Sequence, residues 1–267
     1  MSAQALIHPS AIVHPGAQLH ASVQVGPYAV VGEHVRIGAG STIGAHCVID
    51  GRTTLGENNA IYPHACIGGQ PQDKKYAGEP TELHIGNGNT IREFVTINIG
   101  TAQGGGVTRV GDNNWIMAYA HIAHDCQVGS EIVMANSVAL AGHVHVGDWA
   151  ILGGLTGVHQ FTRIGAHAMI GFSSHVSQDV LPYVLAGGNP FAVHGLNVEG
   201  LRRRHFNANQ IAALKNAYRI VFREGLSLDD ACAQLQDLQA NLVQGDGWEE
   251  VLNILAFAQQ AERGIAR

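Results

Sequence analysis

Residues 5–70 read ALIHPS AIVHPG AQLHAS VQVGPY AVVGEH VRIGAG STIGAH CVIDGR TTLGEN NAIYPH ACIGGQ, and the third residue of every six is aliphatic, from Ile7 through Val13, Leu19 and Val25 to Ile67. Three more units start at Leu83 (Ile85, Ile91, Ile97) and twelve at Thr108 (Val110 to Val176), 26 units in all. With 46% of the chain apolar, 26 apolar hits in 26 units arise from composition about once in a billion. The residue two before each aliphatic is usually small (Ala11, Ala17, Ser41, Cys47, Ala120, Cys126, Ala150, Ala168). The one after it is often glycine (Gly26, Gly32, Gly38, Gly44, Gly111, Gly129, Gly147, Gly165). One large and one small inward side chain per short strand, then a turn in which glycine supplies positive φ, describes one flat side of a coiled ribbon. Three such sides make a turn of 18 residues. Cys47, Cys66 and Cys126 then read as small wall fillers.

Composition agrees with a turn-dense β protein: 13% charged residues, 6% aromatics and 34 glycines in 267 residues argue against a coiled coil, a disordered chain or a helical bundle. A net charge of −6 offers no general attraction to nucleic acid or anionic lipid. The start, MSAQALIHPS, lacks the basic and apolar regions of a signal peptide, and no stretch is apolar enough to span a membrane. Scattered cysteines without a CxxC complete the expectation of a cytoplasmic protein with reduced thiols.

Two polar, glycine-rich segments, 69–82 (GQPQDKKYAGEPTE, where Asp73 and Glu79 fall at the aliphatic places) and 100–107 (GTAQGGGV), interrupt the ribbon and are expected to protrude as loops. The hexads stop near Pro182, so the solenoid is assigned to 1–190 and a helical domain to 191–267. There Ile211, Leu214, Tyr218, Val221 and Phe222 share one helix face that Gly225 ends. Ser227 with Asp230 starts a second helix, and Asp246 is expected to cap a third. So small a unit should pack on the solenoid end or on a neighbouring subunit.

Residues 18 apart stack at about 4.7–4.9 Å. His124, Gly142 and Gln160 therefore form one column, and Asp125, His143 and Phe161 the next. A histidine beside a carboxylate can act as general base, and a glycine N–H can meet a developing oxyanion, the two requirements of acyl transfer. No serine or cysteine accompanies them in a nucleophile pattern, which favours direct attack by a substrate hydroxyl over an acyl-enzyme. Asp125 can orient His124 only if a corner falls between them. Hexapeptide solenoids also include zinc carbonic anhydrases with two ligands five apart on one coil; no two histidines here are five apart, so no metal or other cofactor is expected.

The hexad run together with QDKKYAGEPT, AHIAHDC, LAGHV, GVHQF and NVEGLRRR closely resembles the UDP-N-acetylglucosamine O-acyltransferases, over nearly the whole chain. The resemblance implies a left-handed parallel β-helix with a C-terminal α-helical domain, a handedness on which the period itself is neutral. It also implies a homotrimer with sites between subunits, and transfer of a (3R)-3-hydroxyacyl group from acyl carrier protein to the glucosamine 3-OH of UDP-N-acetylglucosamine in lipid A biosynthesis. It makes His124 the base, Asp125 its partner and Gly142 the oxyanion donor. It places Asp73, Lys75, His121, His143, His159 and Gln160 on the sugar, acyl group or phosphates, and Asn197, Glu199, Arg203 and Arg204 on the nucleotide. Phe172 takes the acyl-chain ruler position, and Arg202, Lys215, Arg219 and Arg223 become the docking surface for the acidic carrier. The rival expectations are the N-acyltransferase of the same pathway, which carries an extra N-terminal domain where these repeats begin at Ala5, and a non-catalytic scaffold. A scaffold has no need of AHIAHDC, LAGHV and GVHQF in register.

Overall fold

The computed structural model describes residues 6–267, so Ala5 and the first residues of the N-terminal stretch lie outside the described residues. The hexads form a three-sided parallel β-helix. Face 1 holds nine strands from Ile12–Val13 to His175–Val176, face 2 eight from Gln18–Leu19 to Arg163–Ile164, and face 3 ten beginning at Gln24–Val25. Val13 pairs with Val31, and His121 with Ala139 and then Gly157, so each lap is 18 residues. Across the first insertion the partners are 30 apart, Cys66 with Thr96, and across the second 25 apart, Thr96 with His121. The loops are thus extruded while the coil keeps its register.

The aliphatic column fills the prism: Ile49, Ile67, Ile91, Ile116, Leu140 and Leu152 are sealed from solvent, with Ala29, Cys47, Ala65, Ala120, Cys126, Ala150 and Ala168 beside them. Cys66 departs from its expected role. It precedes the inward Ile67 by one residue, so strand alternation turns it outward, and it is exposed. Asn59, Asn89 and Asn114 take the small inward place in three consecutive laps, Asn89 Nδ2 donating to Asn59 Oδ1 at 3.0 Å.

The recurrent glycines also serve a different end from the expected one. Positive φ falls two residues later, on Tyr28 after Gly26, His46 after Gly44, Trp149 after Gly147 and His167 after Gly165. The glycines instead make room: a Cβ at Gly38 would lie 2.6 Å from the Gly56 carbonyl carbon, and one at Gly147 2.5 Å from the Ala166 nitrogen. Close stacking of successive laps, rather than backbone freedom, selects glycine there.

Val184–Gly187 extends face 3, and Ala192–Leu196 pairs antiparallel with it beyond residue 190. Helices α1 (Val198–Arg203), α2 (Ala208–Arg223), α3 (Leu228–Ala240) and α4 (Trp248–Gln259) follow. Asn207 and Gln210 close a reciprocal cap on α2, and Ser227 caps α3. Asp246 does not cap α4: Gly247 holds that position in the left-handed region, while the Asp246 carboxylate accepts from Asn209 Nδ2 at 3.1 Å. The helices pack on the solenoid's end. The Arg163 guanidinium lies 4.0 Å from the Phe257 ring centroid, and Asn253 Nδ2 donates to the Tyr183 hydroxyl at 3.0 Å.

At the edge between faces 2 and 3, His167 is stacked between Trp149 and Tyr183, with Phe206 against its edge. Burial, reinforced by the Arg204 charge, pushes its pKa from 6.5 down to about 4. The unfolded chain binds this proton first, so stability is full above pH ~6.5 and falls as pH drops toward about 4. The melting temperature of the native protein should fall more steeply across that window than that of His167→Phe; parallel curves would refute the assignment.

Candidate active site

Three features separated in sequence converge on the edge between faces 1 and 2. The first insertion joins Cys66–Gly69 to Glu82–Ile85, the second joins Thr96–Asn98 to Val107–Val110, and His124 and Asp125 turn the chain from His121–Ile122 to Gln127–Val128. The corner that Asp125 requires is present: its φ is +60°. The carboxylate folds back beside its neighbour, and His124 Nδ1 and Asp125 Oδ2 are 2.8 Å apart.

Asp125 is 0% exposed in its side chain, and the second insertion supplies the donors that make this burial tolerable. Thr101 gives its N–H to Oδ1 at 2.9 Å and its hydroxyl to Oδ2 at 2.6 Å. Thr108 accepts the Asp125 N–H at 2.8 Å. A Cβ at Gly104 would fall 2.1 Å from the carboxyl carbon, so the loop can close over Asp125 only with glycine there. With Asp125 accepting at Nδ1, the lone pair of His124 resides on Nε2.

That nitrogen faces Gly142. A Cβ built on Gly142 would lie 2.7 Å from Nε2 and 2.5 Å from Cε1, while the His143 N–H bonds to the His124 carbonyl at 3.0 Å. The Gly142 N–H makes no hydrogen bond among the described residues. His143 Nε2 is 3.7 Å from Asp125 Oδ2, and its ring stacks on Phe161 with centroids 4.4 Å apart. Burial is the main force holding the His143 pKa below the usual imidazole range, opposed by the Asp125 and Asp73 carboxylates. His121 is likewise depressed, by burial first and then by His124, and its Nδ1 meets the Thr96 hydroxyl at 2.7 Å. His159 and Gln160 are exposed on the same edge, His159 Nδ1 lying 3.0 Å from the Gln160 carbonyl oxygen. In the first insertion Asp73 Oδ1 accepts the Lys75 N–H at 3.0 Å, and the Lys75 side chain is exposed.

Thr96, Thr101 and Thr108 are the contributors that the 18-residue columns miss. Thr101 precedes Asp125 by 24 residues because the loop adds chain between laps. The arrangement offers an oriented base and a free backbone donor. Cys126, the nearest thiol in sequence, points into the core and is pushed up to about 12 by burial, so it cannot serve as a thiolate nucleophile.

Known proteins match along the whole chain. A family profile described as UDP N-acetylglucosamine O-acyltransferase, domain 2, matches residues 179–266, and a bacterial transferase hexapeptide profile matches 16–51 and 108–142. The acyl-[acyl-carrier-protein]–UDP-N-acetylglucosamine O-acyltransferase of Verminephrobacter eiseniae is 58% identical over 220 residues, 82% of this chain and 83% of that one. The crystal structure of the UDP-N-acetylglucosamine O-acyltransferase of Moraxella catarrhalis superposes with a TM-score of 0.94 at 44% identity, covering 98% of this chain and all of the other. The chain belongs to the UDP-N-acetylglucosamine O-acyltransferase family. The acyltransferase of Francisella novicida is similar too, at 38% identity and a TM-score of 0.94 over 98% of this chain and 94% of its own.

As in this O-acyltransferase family, the coil is left-handed. The remaining candidate residues lie away from this edge, on the other two edges of the prism and on helices α1 and α2. Asn197 donates to the His167 carbonyl at 3.0 Å and caps α1, which sets Glu199, Arg203 and Arg204 at the edge between faces 2 and 3. Glu199 and Arg203 form an exposed ion pair at 3.0 Å, whereas the Arg204 guanidinium lies over Trp149, 5.3 Å from the ring centroid. Phe172 stands at the edge between faces 3 and 1, 69% exposed, its ring 3.4 Å from where a Gly154 Cβ would be. On α2 Lys215 is exposed, Arg219 is ion-paired with Glu224, and Arg223 lies over the Tyr218 ring; Arg202, on α1, is exposed.

Proposed function

We infer that the chain transfers a (3R)-3-hydroxyacyl group from acyl carrier protein to the glucosamine 3-OH of UDP-N-acetylglucosamine, the opening step of lipid A biosynthesis. The observation that carries the chemistry is His124, held through Nδ1 by a buried carboxylate, with Nε2 against Gly142. Nε2 takes the hydroxyl proton as the oxygen attacks the thioester carbonyl. The Gly142 N–H meets the oxyanion of the tetrahedral intermediate. Collapse expels the carrier thiol, which recovers the proton from the His124 imidazolium, and no acyl-enzyme forms.

Asp73, Lys75, His121, His143, His159 and Gln160 line the edge around this pair and contact sugar, acyl group and phosphates. Asn197, Glu199, Arg203 and Arg204 hold the nucleotide, and Arg202, Lys215, Arg219 and Arg223 receive the carrier. One ligand cannot touch three edges of a solid prism. The base edge, the nucleotide edge and the Phe172 edge then meet between neighbouring copies, in the homotrimer that the family resemblance implies. The reaction we propose is cytoplasmic and calls for no cofactor; separately, no described helix is long and apolar enough to cross a membrane.

The test is incubation with UDP-N-acetylglucosamine and 3-hydroxyacyl carriers of several lengths. A 3-O-acylated sugar nucleotide and free carrier thiol in equal amounts are expected; an N-acylated product, or none, contradicts the reading. Phe172 shortens the groove, so chains shorter than those used by relatives with glycine there are preferred. In Phe172→Gly the optimum should move to longer chains, with kcat/KM rising about 4-fold for each methylene newly accommodated at ~0.8 kcal/mol. An unchanged optimum removes Phe172 from the role.

A further inference from the structure

The residues that orient the base also form a metal-ligand set. One ligand atom from each of His124, Asp125 and His143 lies within 4.8 Å of the other two. Two of the separations are 2.8 Å, from His124 Nδ1 to Asp125 Oδ2, and 3.7 Å, from His143 Nε2 to the same oxygen. Zinc bonds at ~2.0–2.1 Å and tetrahedral angles hold neighbouring ligand atoms about 3.3 Å apart, between the two observed values. Thr101 already orients the carboxylate from behind with two hydrogen bonds, as a ligand's outer partners do in metal sites. The histidine side chains are 15% and 23% exposed, so an ion can reach them from solvent. The spacing rule applied to the sequence looks for ligands along one coil. These ligands meet across two, His143 lying one lap and one residue beyond His124.

We propose that His124, Asp125 and His143 bind Zn²⁺ as an inhibitory ion that inverts the tautomer of the base. In the metal-free site Asp125 accepts Nδ1–H and Nε2 is the free base. Zn²⁺ on Nδ1 displaces that proton, and a proton on Nε2 completes the neutral ring. The atom that must accept the substrate's proton is then already protonated. The inhibitory half of the inference rests on the acyl-transfer reading; the binding half does not.

The experiment is titration of the full-length protein with Zn²⁺ in competition with a chromophoric chelator, paired with ¹⁵N spectra of the imidazoles. One Zn²⁺ per chain should bind through this site, weakened about 10-fold or more in His143→Ala, and the His124 Nδ1–H signal should give way to Nε2–H. Acyl transfer should stop at the same Zn²⁺ concentration and return on adding excess chelator. Zinc binding unaffected by His143→Ala overturns the proposal, as does a His124 Nδ1–H signal that persists at saturation. The spectra supply that answer on the native protein even if the variant does not fold. A protein that binds zinc here yet never acylates UDP-N-acetylglucosamine keeps the site and sinks the transfer reading; one that acylates but binds no zinc does the reverse.

Discussion

His124→Ala should lower kcat for acyl transfer by about 10²–10⁴-fold, the usual worth of a positioned general base, while the protein stays folded and UDP-N-acetylglucosamine still binds. The ring stands at a corner of the prism, outside the aliphatic column, so its removal opens no core cavity. Its hydrogen bond is to Asp125, whose carboxylate keeps both Thr101 contacts in the variant. The loss should therefore appear in kcat, with KM for the nucleotide changed only a few-fold and the melting temperature nearly constant. Steady-state kinetics beside a thermal melt reads both. Activity above a tenth of the native rate removes His124 as the base, and a collapsed melting temperature makes the residue structural instead.

Gly142→Ala should be almost as damaging although it removes no functional group. Gly142 has φ outside the left-handed region, so alanine fits its backbone. The added Cβ, however, would enter the imidazole's own space, 2.5 Å from Cε1 and 2.7 Å from Nε2, closer than real Cβ contacts allow. Either the ring swings away, breaking its bond to Asp125, or the 142–143 turn shifts and carries the free N–H with it. Both outcomes misplace the base against the oxyanion donor, and a displacement of about 1 Å costs on the order of 10²-fold. The kcat of the purified variant decides it: a value within about 3-fold of native would mean that the His124–Gly142 contact is not where reaction occurs. This pair of variants separates chemistry from geometry, since one deletes the base and the other only crowds it.

Much of the architecture was legible because a coiled ribbon converts sequence distance into spatial distance by one constant. An apolar residue every six places fixes the strands, and 18 residues per lap puts His124, Gly142 and Gln160 on one edge before any coordinate is known. The conversion fails where the constant fails. Thr101 and Thr96 reach Asp125 and His121 across a lap lengthened by the 100–107 insertion, so no column contains them. Glycine's function is hidden from the sequence for a related reason: turn conformation is a property of one residue, whereas the space that Gly38 and Gly147 preserve belongs to the next lap. Cys66 shows how a shift of one place along a strand exchanges wall for surface. In the helical domain the cap at Ser227 was readable from local chemistry, but Asp246 was drawn away from its helix by Asn209, 37 residues earlier. That pairing has no local signature.

Catalysis by this site requires that Asp125 store the proton on Nδ1 of His124 so that Nε2 is free to take another. Long-range ¹H–¹⁵N spectra of imidazole-labelled, metal-free protein at neutral pH measure this directly. A pyrrole-type Nδ1 and a pyridine-type Nε2 are expected for His124, with the pattern inverted or averaged in Asp125→Ala. A native spectrum in which the His124 proton sits on Nε2 would contradict it.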